Sequence, residues 1–166
     1  TENPAGIAGF AAAATACIDD LAAEATRLGA LRDAMELRLR SGLADLNVFG
    51  AGAPRLPNTS AFALSDVSAD TLLIALDLAG CAVSSGSACS SGKVAPSHVL
   101  SAMGVDATLA RGAIRASLGW ATTDGDVDRF CELFQKTVRT VRARRASTPA
   151  QNPEPAVLET ARARRV

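Results

Sequence analysis

Ile7, Phe10, Ala14, Ile18, Leu21, Ala25, Leu28, Leu31, Met35 and Leu39 follow one another at steps of three and four residues, the spacing that lines up one face of an α-helix. Asn3 before Pro4 supplies a cap with proline at the first helical position, and Ser41-Gly42 supplies a stop. The pattern predicts one helix over 4–41. At ~1.5 Å per residue it runs for over ~50 Å, longer than a compact domain of this size requires, so it is expected to bridge to another body.

Beyond it the periodicity changes. "LNVF" (46–49) and "TSAFALS" (59–65) are short β-prone runs separated by glycine and proline, and read as neighbouring strands. "SADTLLIALDLAG" (68–80) has a serine cap, an apolar face through Leu72, Leu73, Leu76 and Ala79, and Gly80 just past its end, so it reads as a helix. "CAVSS" (81–85) is a strand entering a Gly/Ser-rich loop, and "SHVLSAMG" (97–104) a short helix capped by Ser97. In "GAIRASLG" (112–119) Ile114, Ala116 and Leu118 alternate with Arg115 and Ser117, a half-buried strand with Arg115 turned away from the core. "TTDGDVDRFCELFQKTVRTVRARR" (122–145) combines a threonine cap, acids in the first turn, the stripe Val127, Phe130, Phe134, Val138, Val141, and arginines at its end. The resulting class is α+β, a small sheet with helices on one side.

Composition adds bounds. The 166 residues are 48% apolar and 20% charged, enough for one domain with a core. No run reaches ~18 consecutive apolar residues and no secretory pattern opens the chain, so a cytoplasmic location is expected, without a membrane partner. The net charge of zero conceals ten basic and fifteen acidic residues before position 139 and seven arginines against two glutamates from 139 onward. Residues 146–166, with three prolines, no lysine and no aromatic, read as a solvated tail rather than a nucleic-acid grip. Cysteines at 17, 81, 89 and 131 and the single His98 form no metal-ligand spacing. Cys17 and Cys131 lie beside core positions of helices and Cys81 opens a strand, so these three are expected as packing residues. His98, next to a helix cap, is expected as a local hydrogen-bonding residue.

"SSGSACSSGK" (84–93) is the chemically suggestive run. A phosphate loop is excluded: five residues rather than four separate Gly86 from Gly92, Val94 replaces the hydroxyl residue, and Pro96 stands where a helix must run. Two readings stay open. The run is either a linker with an incidental thiol or a loop of small residues that presents Cys89 as a nucleophile beside Lys93. Arg115 is likewise either a bidentate grip for a carboxylate or a salt-bridge residue.

"TEN" (1–3), "RLPNTSAFAL" (55–64), "LLIALDLAGCAVSSGSACSSGKVAPSHVLSAMG" (72–104) and "RGAIRASLGWATTDGDVDRF" (111–130) together resemble, in order and spacing, the C-terminal part of cysteine desulfurases. These belong to the class V aminotransferase group of pyridoxal 5′-phosphate (PLP) enzymes, and the resemblance covers about residues 1–142. It implies the small C-terminal domain of a fold-type I PLP enzyme, with a short mixed or antiparallel sheet. The division is then 1–41 as a bridging helix from a cofactor domain, 42–145 as the domain carrying the cysteine loop, and 146–166 as a tail. The resemblance makes Cys89 the residue that takes sulfur from L-cysteine as a persulfide while alanine leaves, Arg115 the ligand of the substrate carboxylate, and Thr1 a contact to the PLP phosphate of the other subunit of a homodimer. It implies a sulfur acceptor such as an iron–sulfur scaffold protein, with which Cys89 would transiently share a cluster. The lysine that binds PLP in this family has no counterpart here, since the lysines are Lys93 and Lys136. PLP is therefore expected to be held by a large domain, on this protein or another chain, and the isolated chain to be inactive. The alternative is a non-catalytic module for dimerisation or acceptor docking.

Overall fold

The computed structural model describes residues 2–85 and 97–147. The first element, α1 (Pro4–Gly42), matches the predicted helix, and the Asn3 side chain accepts from the Gly6 amide as its cap. Strands β1 (Asn47–Val48) and β2 (Thr59–Ala63), helix α2 (Ala69–Leu78) and strand β3 (Ser84–Ser85) follow. Then come α3 (His98–Ala102), α4 (Ala107–Arg111), β4 (Ile114–Ser117) and α5 (Asp124–Ser147). The sheet is antiparallel throughout in the order β1-β2-β4-β3, with Ala61 opposite Arg115 and Arg115 opposite Ser84.

The two sheet faces differ because successive strand residues point opposite ways. Ser60, Phe62, Leu64, Ile114 and Ala116 are buried, and the larger of them pack with helices α1, α2 and α5. Phe62 meets Phe134 edge-on at 5.3 Å between ring centres, and Phe130 lies 5.8 Å from Phe134. Leu28, Leu31, Met35 and Leu39 of α1 belong to the same core, as do Val127, Phe130, Phe134 and Val138 of α5. On the opposite face Ala63 packs with Leu100, Ala110 and Ala113 beneath the α3–α4 pair. That pair covers one end of the face only.

Several local expectations resolve in detail. Ser68 caps α2 by accepting from the Thr71 amide, and Gly80 follows at φ +76°, a conformation that costs other residues roughly 1 kcal/mol. The Thr123 hydroxyl accepts from the Asp126 amide while the Asp126 carboxylate accepts from Thr123, a reciprocal cap at the start of α5. The strand in "CAVSS" shortens to Ser84–Ser85, the only two of those residues paired to β4. Helix α4 is an element the periodicity did not indicate: one turn nucleated by Asp106, whose carboxylate accepts from the Thr108 and Leu109 amides.

The long helix divides into two environments. From Leu28 onward its apolar face is buried, whereas Ile7, Phe10, Ile18 and Leu21 are 65–79% exposed because no described residue packs against them. This corrects the expectation for Cys17, which sits on that bare half and is exposed. By length and composition α1 also resembles a membrane span, with a mean hydropathy of 1.3 over its best 18 residues; interior helices of soluble proteins meet the same measure.

Candidate active site

Arg115 sits in the middle of β4 with buried Ile114 and Ala116 on either side, so the strand's alternation turns its side chain out onto the open face. Its cross-strand neighbours there are Ala61 and Ser84, both small, and Thr59 and Ser117 form the next pair. Among the described residues Arg115 has no hydrogen-bonding or ion-pair partner. A planar fork of five donors standing clear among small side chains is suited to an anion arriving from outside, a carboxylate above all.

The segments flanking this face are anchored from α1. Arg27 donates to the carbonyls of Trp120 and Thr122 at 2.9 and 2.7 Å and is itself oriented by Glu24. Arg32 donates to the Leu56 carbonyl at 2.8 Å. Glu36, 4% exposed, accepts from Arg55 at 2.7 and 3.2 Å and from the Ser60 hydroxyl at 2.7 Å. Burial would raise the Glu36 pKa, but the bonds from Arg55 and Ser60 outweigh it and hold the carboxyl below its usual range. The 49–58 loop and the 118–123 turn also meet each other, as the Leu118 amide donates to the Asn58 carbonyl at 2.8 Å. Sequence reading missed this network. Its one visible signal was an acidic residue, Glu36, placed between the core positions Met35 and Leu39.

Two of the described thiols, Cys81 and Cys131, are held protonated by burial. Burial pushes Cys131 up to about 11 and raises Cys81, which lines a cleft of about 160 Å³ with Met35, Leu118, Thr122 and Phe130. Cys131 is a core residue, its thiol 3.7 Å from the Met35 carbonyl. Cys89 and Lys93 lie in residues 86–96, and Thr1 precedes Glu2; all three are outside the described residues. What the structure does show is where their chain is tethered. Ser85 is the last described residue before the loop and its neighbour Ser84 is paired with Arg115, and Cys89 follows Ser85 by four residue steps, which span at most ~14 Å. His98 is exposed as the first residue of α3.

The aminotransferase class-V family model matches residues 1–130. The chain belongs to the aminotransferase class-V family. Within it, this class-V chain is 42% identical over 142 residues to a cysteine desulfurase of Gluconacetobacter diazotrophicus, an alignment covering 86% of this chain and 36% of that relative. It is 40% identical over 151 residues to an IscS-like cysteine desulfurase of Mycobacterium tuberculosis, covering 90% of this chain and 38% of the other. Among solved structures, a NifS-like protein of Rickettsia africae superposes with a TM-score of 0.74 at 32% identity, over 84% of this chain and 36% of that one. The class-V chain thus spans about a third of the length of the relatives it matches. The likeness to NifS-like proteins accords with the expected fold, a small α+β unit with an antiparallel sheet.

Proposed function

We propose that this chain is the sulfur-accepting third of a cysteine desulfurase. Cys89 takes the sulfur of L-cysteine, so that cysteine and a thiol become alanine and a persulfide, and passes it to an acceptor such as an iron–sulfur scaffold protein. The observation that carries the reading is Arg115, an exposed guanidinium on the outer sheet face with no partner among the described residues, directly opposite the strand that precedes the Cys89 segment. Arg115 would hold the substrate carboxylate while the loop brings the thiolate to the sulfur, two tasks that suit a fixed strand and a tethered loop. Desulfurase relatives at about 40% identity support the chemistry.

PLP, on which the class-V family depends, supplies an electron sink when bound. The described residues do not fit it as holders. Lys136 is exposed on α5, and no other lysine lies among the described residues. Lys93 stands in the same Gly/Ser-rich run as Cys89. The lysine and the ring contacts would therefore come from a large domain or a partner chain, Thr1 would approach the phosphate from a second subunit, and the bare half of α1 would connect the two bodies in the cytoplasm.

The test has two arms. The isolated chain, given PLP and L-cysteine, is expected to release neither sulfide nor alanine, and turnover by it alone would sink the division of labour. Grafted in place of the matching third of the G. diazotrophicus relative, it is expected to restore alanine release with a persulfide on Cys89. In that graft Cys89→Ala should abolish the persulfide and Arg115→Ala should raise KM for L-cysteine. An unchanged persulfide yield in the Cys89→Ala graft refutes the assignment.

A further inference from the structure

Along the outer sheet face Arg115 leaves a ligand one direction. Towards Ala63 and Ala113 the face is closed, because both are buried with Leu100 and Ala110 beneath the α3–α4 pair. Towards the other end the next pair is Thr59 opposite Ser117. Ser117 lies two residues beyond Arg115 on β4, hence on the same face and roughly 7 Å along the strand. The way is clear, since the residues flanking Arg115 are Ala61 and a half-buried Ser84.

Of the two hydroxyls in that pair, one is committed. Thr59 donates to the Asn58 side chain at 3.2 Å, whereas Ser117 is exposed and makes no hydrogen bond among the described residues. The strand pairing explains why. The Leu118 amide donates to the Asn58 carbonyl just before β2, so by alternation the Ser117 peptide faces the β3 side. There β3 pairs only through Ser84 and Ser85, and no backbone bond joins Ala82 to Ser117. The ladder opens at this point into the cleft of about 160 Å³, whose rim includes Ala82, Val83, Ser117 and Leu118. Ser117 is nonetheless held in place. The Leu118 amide is bonded to Asn58, the Gly119 amide donates to the Thr122 hydroxyl at 2.9 Å, and Arg27 fixes the Trp120 carbonyl.

We propose that Ser117 is a second substrate-binding residue beside Arg115, its hydroxyl donating to the carboxylate that Arg115 grips. A carboxylate presents about four lone-pair positions and a bidentate guanidinium takes two of them, so a hydroxyl from the neighbouring row is accommodated. The proposal rests on the desulfurase reading and names a residue that this reading leaves without a role.

Steady-state kinetics of the graft in the G. diazotrophicus relative test it. A hydrogen bond to a charged group corresponds to roughly ten- to a hundredfold in affinity, and the lower end applies on a face that water reaches. Ser117→Ala is expected to raise KM for L-cysteine about tenfold with kcat within about twofold, and to weaken L-alanine as a competitive inhibitor by a like factor. Ser117→Thr keeps the hydroxyl and should recover most of both. A KM raised in Arg115→Ala but unchanged in Ser117→Ala would overturn the proposal and leave the desulfurase reading standing, whereas a KM unchanged in both would remove the Arg115 role on which it rests. A larger rise in Ser84→Ala than in Ser117→Ala also overturns it, since the donor then belongs to β3. The full chain by itself gives a readout that needs no turnover. In an NMR titration with L-alanine the Arg115 Nε–H and the Ser117 N–H are expected to shift on one binding curve, and the Arg115 curve to become shallower in Ser117→Ala. A shift of Arg115 without Ser117 would overturn the assignment.

Discussion

Replacing Arg55 by methionine isolates the consequence of burying Glu36. The Arg55 and Glu36 side chains are 16% and 5% exposed and joined by two hydrogen bonds, and among the described residues the Ser60 hydroxyl is the only other donor to the carboxylate. Breaking a buried pair by removing one partner costs about 3–5 kcal/mol, and the lower end applies because Ser60 remains and Arg55 is partly solvated. A loss of about 3 kcal/mol, with a urea m-value of about 2 kcal/mol/M, lowers the midpoint by about 1.5 M at pH 7. The pH dependence supplies the diagnostic. In the wild type the Glu36 pKa is depressed, so its contribution is complete above the ordinary carboxyl value of about 4.3 and is lost as pH falls through the folded value. Without Arg55, burial raises that pKa, and protonation relieves the variant first. The gap between the two proteins should therefore narrow from pH 7 towards pH 4, and Glu36→Gln/Arg55→Met should recover most of the loss. Urea unfolding followed by circular dichroism measures both. A gap under about 0.5 kcal/mol at pH 7, or one that stays constant to pH 4, refutes the reasoning.

The thiols should differ in reactivity: at pH 8 only about one part in a thousand of Cys131 is thiolate given a value of about 11, so timed alkylation with mass spectrometry should mark exposed Cys17 well before Cys81 and Cys131. Early modification of Cys131 in the folded chain would contradict its placement. Phe134→Ala removes a ring that is 1% exposed and packed on both Phe62 and Phe130, and is expected to cost about 3–5 kcal/mol in the same urea assay, while Leu37→Ala on the exposed side of α1 should stay within about 1 kcal/mol.

Much of the fold was legible because local signals agreed with one another. The stripe of α5, the Ser68 cap and Gly80 around α2, and the alternation that turns Arg115 outward each follow from residue spacing and backbone preference within a few positions. The Glu36–Arg55–Ser60 contact was not legible, because its members are separated by 19 and 24 residues and ordinary surface residues have the same identities. Helix α4 was missed because one turn is too short to show a period.

The sequence by itself determined which residues can be helical, which side of β4 carries the guanidinium, and where a thiol stands among small residues. Only the tertiary structure decided that Cys131 is buried and Cys17 exposed, although both lie on apolar-patterned helices. Periodicity reports that a face can be buried; whether another element covers it depends on where the chain returns. For the second half of α1, α5 and the sheet return over it. For the first half no described residue does, and that absence of packing, invisible in the pattern, is what separates two otherwise similar halves of one helix.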